Sequence, residues 1–383
     1  MLIVFWASIL FIIYTYIGYP LLIYLLKKDN STKTSTENNL NISDLFVSIV
    51  LVVKNEEKHI KKKVNNLLSQ TKNILIGELI VVSDSSVDKT DSIVKELNLL
   101  DNRIKLYRLS DEKGKAAGIN KGVDEAKYNI IVFADARQEF EKDAVYKLLQ
   151  GFENENVGAV AGELRFKKIN ETGNVAQVLG AYWKYETWLR KNESNYSTVT
   201  GVPGAIYAVR KELITKLPNG LILDDVWIPM NVIMQNKYVK YKEDAIAWDY
   251  INKESNKEYK RKIRTLAGNV QLLVLNPKFI SPVKNKYWWM FLSHKIFRLF
   301  VPICMITLFI SNAYIDQTFY KIIFVGQILF YSLGIVGWII QMIKHTENLC
   351  AICNYIFTFI SLNIAALLGV FIYFTGKYKS SWK

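Results

Sequence analysis

VSIVLVV (Val47–Val53), ELIVVS (78–83), RIKLYRL (103–109) and NIIVFAD (129–135) are four short runs whose reading decides the fold. Each is rich in β-branched residues and nearly free of polar interruption, as strands are when helices cover both faces of their sheet. Between them the period changes. Residues 56–70 carry Ile60, Val64 and Leu67 on one helical face, 90–97 carry Ile93 and Leu97, and 115–126 carry Ile119 and Val123. Strands alternating with helices predict an α/β domain built on a parallel sheet. Ligands of open parallel sheets bind beyond the carboxyl ends of the strands, so the residues after each run are the place to look for chemistry.

The first run ends in Lys54-Asn55-Glu56-Glu57, the second in Ser83-Asp84-Ser85-Ser86-Val87-Asp88-Lys89-Thr90, and the fourth in Asp135-Ala136-Arg137. Taken singly, Asn55, Ser85 or Asp88 reads as a helix cap, and acids in a first helical turn suit the helix dipole. Taken together they bring carboxylates to one rim, where they can accept from a nucleobase imide or hold a divalent ion against a diphosphate. Lys113-Gly114-Lys115 opens the next helix, with Asn120 one turn on; backbone N–H groups and cations there suit phosphate, although a solvated basic helix looks similar and no Walker A pattern is present. Gly201-Val202-Pro203-Gly204 and then Asp224-Asp225-Val226-Trp227 follow. Adjacent carboxylates raise one another's pKa, which is what a general base near neutral pH needs; surface acids at a helix start are the other reading.

Outward from this domain the chain turns apolar. Residues 1–26 contain no charged side chain and are followed by Lys27 and Lys28, long enough to cross a hydrocarbon core of about 30 Å. A cleaved leader is disfavoured by that length, by the lack of a preceding basic region and by the lack of a small-residue cleavage site. Three further apolar runs cover 299–315, 322–343 and 349–374, and KNKYWWMFLSHKIFR (284–298) has the composition of a helix at headgroup level. The expected organisation is a transmembrane anchor (1–26), a polar linker (27–45), a cytoplasmic catalytic domain (46–275), interfacial helices (276–298), about three transmembrane helices (299–376) and a tail (377–383).

The balance of 49 basic against 35 acidic residues, net +14, fits anionic membrane lipid and gives no nucleic-acid reading module. Lys58, Lys61, Lys62, Lys63, Lys113 and Lys115 place the domain on the cytoplasmic side of a multi-pass cell-membrane protein. Lys377, Lys379 and Lys383 conflict with an odd number of later spans, so one C-terminal run is read as re-entrant or interfacial. Cys304, Cys350 and Cys353 all fall in apolar runs and imply neither disulfides nor zinc. His59, His294 and His345 have no supporting acids nearby in sequence and read as surface or interfacial residues.

The ordered series of motifs resembles the inverting family 2 glycosyltransferases, in the cellulose-synthase-like branch, over roughly residues 47–275. The resemblance implies a GT-A type, Rossmann-like mixed sheet with helices on both faces, flanked by transmembrane helices. It also implies a nucleoside diphosphate sugar, a UDP-sugar, as donor, a lipid-linked or glycan acceptor, and Mg²⁺ or Mn²⁺ as cofactor. Residue by residue, Asn55, Glu56 and Asp84 would bind the nucleoside, and Lys115 the donor phosphates. Asp135 would hold the metal-bound diphosphate, and Arg261 and Arg264 of the terminal basic motif would face the leaving group. Gly201, Gly204 and Trp227 would line the acceptor side; Asp225, beside Asp224, would be the base of a one-step, inverting displacement. Three positions depart from the family pattern. Ala136-Arg137 leaves one acid where two are usual; Arg261-x-x-Arg264-Thr265 lacks the glutamine and tryptophan of processive synthases; and Ser85 replaces a glycine. A catalytically inert partner subunit of a glycan-synthesising membrane complex is the alternative these departures suggest.

Overall fold

The computed structural model describes residues 1–27, 46–71, 75–110, 113–167, 174–250, 255–344 and 351–376. The linker beyond residue 27, Glu112, His345, Cys350 and the tail 377–383 lie outside the described residues. The chain opens with α1 (Leu2–Ile13), which runs through a π-helical turn (Tyr14–Gly18) into α2 (Tyr19–Leu26). The α/β body starts with β1 (Val47–Val53), α3 (Ile60–Leu68), β2 (Ile76–Ser83), α4 (Thr90–Leu100), β3 (Ile104–Arg108), α5 (Lys115–Glu125) and β4 (Ile130–Ala134). It continues with β5 (Glu139–Phe140), α6 (Ala144–Gln150), β6 (Val157–Lys167), α7 (Asn174–Tyr196), β7 (Ile206–Arg210), α8 (Asp224–Met234), β8 (Tyr238–Tyr250) and α9 (Ser255–Leu275). Last come α10 (Trp288–Phe291), which passes through a second π turn (Leu292–Ile296) into α11 (Phe297–Ala313), then α12 (Thr318–Lys344) and α13 (Ala351–Phe374).

The strands form one sheet in the order β3-β2-β1-β4-β7-β6-β8-β5. β3, β2, β1 and β4 are mutually parallel, because α3, α4 and α5 each carry the chain back to the starting edge. β7 then enters antiparallel to both β4 and β6, so the whole sheet is mixed. All seven residues of β1 are buried. Their alternation explains it: Val50 and Val52 join a core with Ala116, Ala117 and Ile119 of α5, while Ile49, Leu51 and Val53 join a second core with Ile60, Val64 and Leu67 of α3. Helix α5 lies so close to β1 that a Cβ on Gly118 would stand 2.3 Å from Val52 Cγ1, and one on Gly122 2.5 Å from Val50 Cγ1. That approach brings the start of α5, with Lys115, over the sheet's carboxyl edge.

Among the described residues four helices are long and apolar enough to cross a membrane: Leu2–Leu26, Trp288–Ala313, Thr318–Ile340 and Cys353–Phe374. The second begins earlier than the apolar run at 299, because helical hydrogen bonding continues through the π turn. Much of the segment expected to be interfacial (276–298) is therefore the start of a long helix. These helices are not a separate body. Tyr19 and Ile23 of α2, with Met290, Phe291 and Ile296, belong to the same buried core as Val50 and Phe133 of the sheet. Gly369 of α13 lets α9 approach, since a Cβ there would lie 3.0 Å from the Ala267 backbone nitrogen.

Candidate active site

The loops after β1 and β2 are laced together. Asn55 and Ser85 both adopt left-handed backbone at φ 53, a region where asparagine is tolerated and serine is uncommon. Asn55 is not a helix cap: its Oδ1 accepts from Val87 N–H at 2.9 Å, and its own N–H donates to Ser86 Oγ at 3.1 Å. Asp84 is fully buried. Its Oδ2 lies 3.1 Å from Lys54 Nζ, and its Oδ1 accepts from Gly114 N–H at 2.9 Å. Gly114 reaches that carboxylate at φ 97, a backbone setting that favours glycine. Asp84 therefore fixes the mouth of α5.

Glu56, largely buried, is engaged on both oxygens. Oε2 is 2.8 Å from His59 Nδ1, and Oε1 is 3.2 Å from Arg137 Nε. Arg137, which stands where the sequence pattern has a second acid, thus clamps the loop after β4 to the loop after β1.

Lys115 occupies the centre. Its Nζ lies 3.2 Å from Asp135 Oδ1 and 3.3 Å from Asp224 Oδ2. Burial works against its charge, but Asp135, Asp224 and Asp225 outweigh it and raise its pKa above the ordinary lysine value. Asp225, the next residue of α8, is pushed up to about 6, by burial first and by Asp224 second, with Lys115 and Lys295 pulling the other way. The Gly201–Gly204 loop covers it: Val202 N–H donates to the Asp225 carbonyl at 2.9 Å, and a Cβ on Gly204 would stand 3.6 Å from Asp225 Oδ2. The Tyr207 hydroxyl is buried without a hydrogen bond, and burial together with Asp224, Asp225 and Asp135 raises its pKa well above the usual value.

Other expected residues lie elsewhere. Trp227 is two residues past Asp225 on α8, which turns it inward; it is 8% exposed and packs edge-on against Phe279 at 5.5 Å. Its position does not support the acceptor-side role expected of it. Arg261 and Arg264 are exposed on α9, in a row with Gly268 and Gln271. Gln271 accepts from Ile222 N–H at 2.9 Å, and Gly268 packs on Leu223, so the arginines extend a helix face that holds the approach to Asp224.

The histidine expectation holds for His59, which is exposed although it meets an acid, and is overturned for His294. His59 touches Glu56, and His294 is buried with Nδ1 2.8 Å from Glu193 Oε1 and Nε2 3.2 Å from Glu186 Oε2. The signal was available in α7, where Glu186 and Glu193 are seven residues apart and share a helix face.

Among the described residues no group of three or more His, Cys, Asp or Glu could hold a metal by itself. The donor set does fit an ion that arrives with a diphosphate. Asp135 is about a third exposed at the rim, Asp224 Oδ2 is buried without a hydrogen bond, and Mg²⁺-type sites commonly use one or two carboxylates plus substrate phosphates.

A mixed α/β sheet with acids gathered at its carboxyl rim, joined to apolar helices near both termini, is the architecture of the GT-A fold. Residues 48–217 match the family model "Glycosyl transferase family 2", so the α/β body carries a family 2 glycosyltransferase domain. Similar chains include the poly-β-1,6-N-acetyl-D-glucosamine synthase of Staphylococcus epidermidis, 23% identical over 302 residues, covering 75% of this chain and 70% of the relative. The synthase of the same name from Staphylococcus aureus (strain COL) is 21% identical over 258 residues, covering 65% of this chain but 60% of the relative. Among solved structures, "Mannosyltransferase PcManGT from Pyrobaculum calidifontis in complex with GDP-Man and Mn2+" superposes at a TM-score of 0.70 with 17% identity, over 98% of this chain and 100% of that one. At that identity the likeness is one of fold.

Proposed function

We propose that this enzyme transfers a sugar from a nucleoside diphosphate sugar to a lipid-linked or glycan acceptor at the membrane, with inversion. The observation that carries the reading is Asp225, a shielded carboxylate brought to about 6 beside Lys115 and under the Gly201–Gly204 loop. In the reaction Asp225 takes the proton of the acceptor hydroxyl while that oxygen attacks the anomeric carbon. The bond from that carbon to the diphosphate breaks, and its electron pair passes to the phosphate oxygen. Lys115 supplies positive charge on the departing side, and Arg264 and Arg261, exposed on α9, would add to it only by reaching in from that helix. Asp135 would hold Mg²⁺ or Mn²⁺, which when bound neutralises the diphosphate. Glu56, Asn55 and Asp84 shape the nucleoside side, where a carboxylate can accept from the base.

The four long apolar helices among the described residues and the lysine-rich sequence of the domain support a multi-pass protein of the cell membrane with its catalytic domain in the cytoplasm. The names of the comparison proteins support two donors. N-acetylglucosamine polymers point to a UDP-sugar, and the solved neighbour was captured with GDP-mannose and Mn²⁺. The test is turnover of a panel of labelled UDP- and GDP-sugars by the full chain in lipid, with Mg²⁺, Mn²⁺ or chelator. Consumption of one donor, abolished by chelator, is expected. Equal, metal-independent hydrolysis of all donors would contradict the reading.

A further inference from the structure

Lys63 lies in the run Lys61-Lys62-Lys63 of α3, and no role assigned above uses it. Lys61 and Lys62 are exposed, whereas Lys63 is 2% exposed. Among the described residues its ammonium forms no ion pair. Instead, Nζ donates to the Gln138 carbonyl at 2.6 Å and lies 4.0 Å from the centroid of the Phe140 ring. Taking an ammonium out of water without a carboxylate beside it is costly. An apolar side chain would serve the packing of α3 better, so the hydrogen bond is the feature to explain.

Other contacts of α3 go to the same stretch of chain. Asn66, three residues on and so on the same face, accepts from Phe140 N–H and donates to the Phe140 carbonyl, both at 2.8 Å. Just past the helix, Gln70 Oε1 accepts from Val145 N–H at 3.2 Å. Ala136 is buried in the core that holds Ile60, Val64 and Leu67 of α3. Residues 136–145 are thereby seated on this one helix. Its other end is rooted at Glu56, whose carbonyl accepts from Ile60 N–H at 2.9 Å and whose carboxylate Arg137 Nη2 meets at 3.2 Å. Glu56 is the residue assigned above to the nucleoside side, and Asp135, assigned to the diphosphate, lies three residues before Gln138.

We propose that Lys63 is a positioning residue for donor binding: by holding the Gln138 carbonyl it fixes the loop of Asp135 against α3, and so sets the span between the nucleoside side at Glu56 and the diphosphate side at Asp135. The proposal rests on the nucleoside diphosphate donor given under the proposed function. Such a donor is gripped at both ends at once. A loop already held at the right span has no ordering left to do when the donor arrives, and that gain falls on the diphosphate end alone.

The experiment compares wild type, Lys63→Met and Lys63→Arg as the full chain in lipid. Binding of UDP and of GDP with Mn²⁺, and of the bare nucleosides uridine and guanosine, is measured by titration calorimetry; kcat and donor KM are then taken from transfer rates. For whichever diphosphate wild type binds, Lys63→Met should weaken binding and raise donor KM about tenfold, with nucleoside affinity and kcat within about twofold of wild type. Lys63→Arg, which keeps a donor for the Gln138 carbonyl, should return the diphosphate affinity towards wild type. Unchanged diphosphate affinity, equal weakening of nucleoside and diphosphate, or a loss confined to kcat would overturn the proposal while leaving the donor reading intact. A wild type that binds neither diphosphate would remove that reading and the proposal with it. Should the methionine variant fail to fold, Lys63→Gln, whose side chain is one atom shorter than lysine, has the same outcomes.

Discussion

One step along α8 separates two carboxylates with different prospects. Asp224 is taken by Lys115 at 3.3 Å, whereas Asp225 is shielded, crowded by Asp224 and raised to about 6. Its basic form therefore predominates above that pH. Catalytic efficiency should fall about tenfold per pH unit below about 6, read as the acid limb of the kcat/KM profile. Lys115→Met removes a cation that favours the ionised form, so the same limb should move to higher pH, and donor KM should rise because the phosphates lose their lysine. An unchanged limb would mean that Lys115 does not act on Asp225. Much of this rim was legible in the sequence, because Glu56, Asp84 and Asp135 follow apolar runs whose register fixes where they emerge. Trp227 shows the limit of that reading: adjacency in sequence is not adjacency on a helix, and two residues past Asp225 on α8 its ring packs inward on Phe279. Arg137 looked like a lost metal ligand, and its grip on Glu56 needed the third dimension.

At the scale of elements, the close seating of α5 on β1 sets where Lys115 stands. Gly118→Ala would put a methyl group 2.3 Å from Val52 Cγ1. Overpacking of this kind typically costs about 1–3 kcal/mol, so thermal melting should show a lower Tm, with donor affinity reduced as the start of α5 shifts. A variant that melts like wild type would show that the helix can move away freely. β1, β2 and β4 were readable because burial on both faces makes them nearly continuous apolar runs, whereas β3, at the sheet edge, is mostly half-buried and carries Lys105 and Arg108. β6 and β8 were not, because much of their length is only half-buried and their sequences mix Lys, Glu and Tyr with apolar residues. Their pairing with each other, and that of β7 with β4, joins segments far apart in the chain, which local periodicity does not reveal.

Across the whole molecule, apolar helices and α/β body share one core, and the cage of Tyr19, Glu186, Glu193, His294 and Arg298 ties the first and later long helices to α7. Removing one member of a buried ionic group strands its partners, typically at about 3–5 kcal/mol. Glu186→Ala, which leaves Arg298 and His294 without their shared carboxylate, should therefore lower the Tm in detergent more than Lys321→Ala, whose pair with Asp316 is exposed to solvent and screened by it. Equal shifts would mean that water reaches the cage. The apolar runs announced the long helices, since hydropathy alone carries that signal. The cage did not announce itself, because its acids and its bases lie about a hundred residues apart.

The central claim is that Asp225 moves the proton, and it is tested most directly by single-turnover transfer with Asp225→Asn in lipid, alongside donor binding. The account predicts a rate loss of about 10²–10⁴-fold, the usual contribution of a general base, with donor affinity within a few fold of wild type. Transfer by Asp225→Asn within tenfold of the wild-type rate would contradict it.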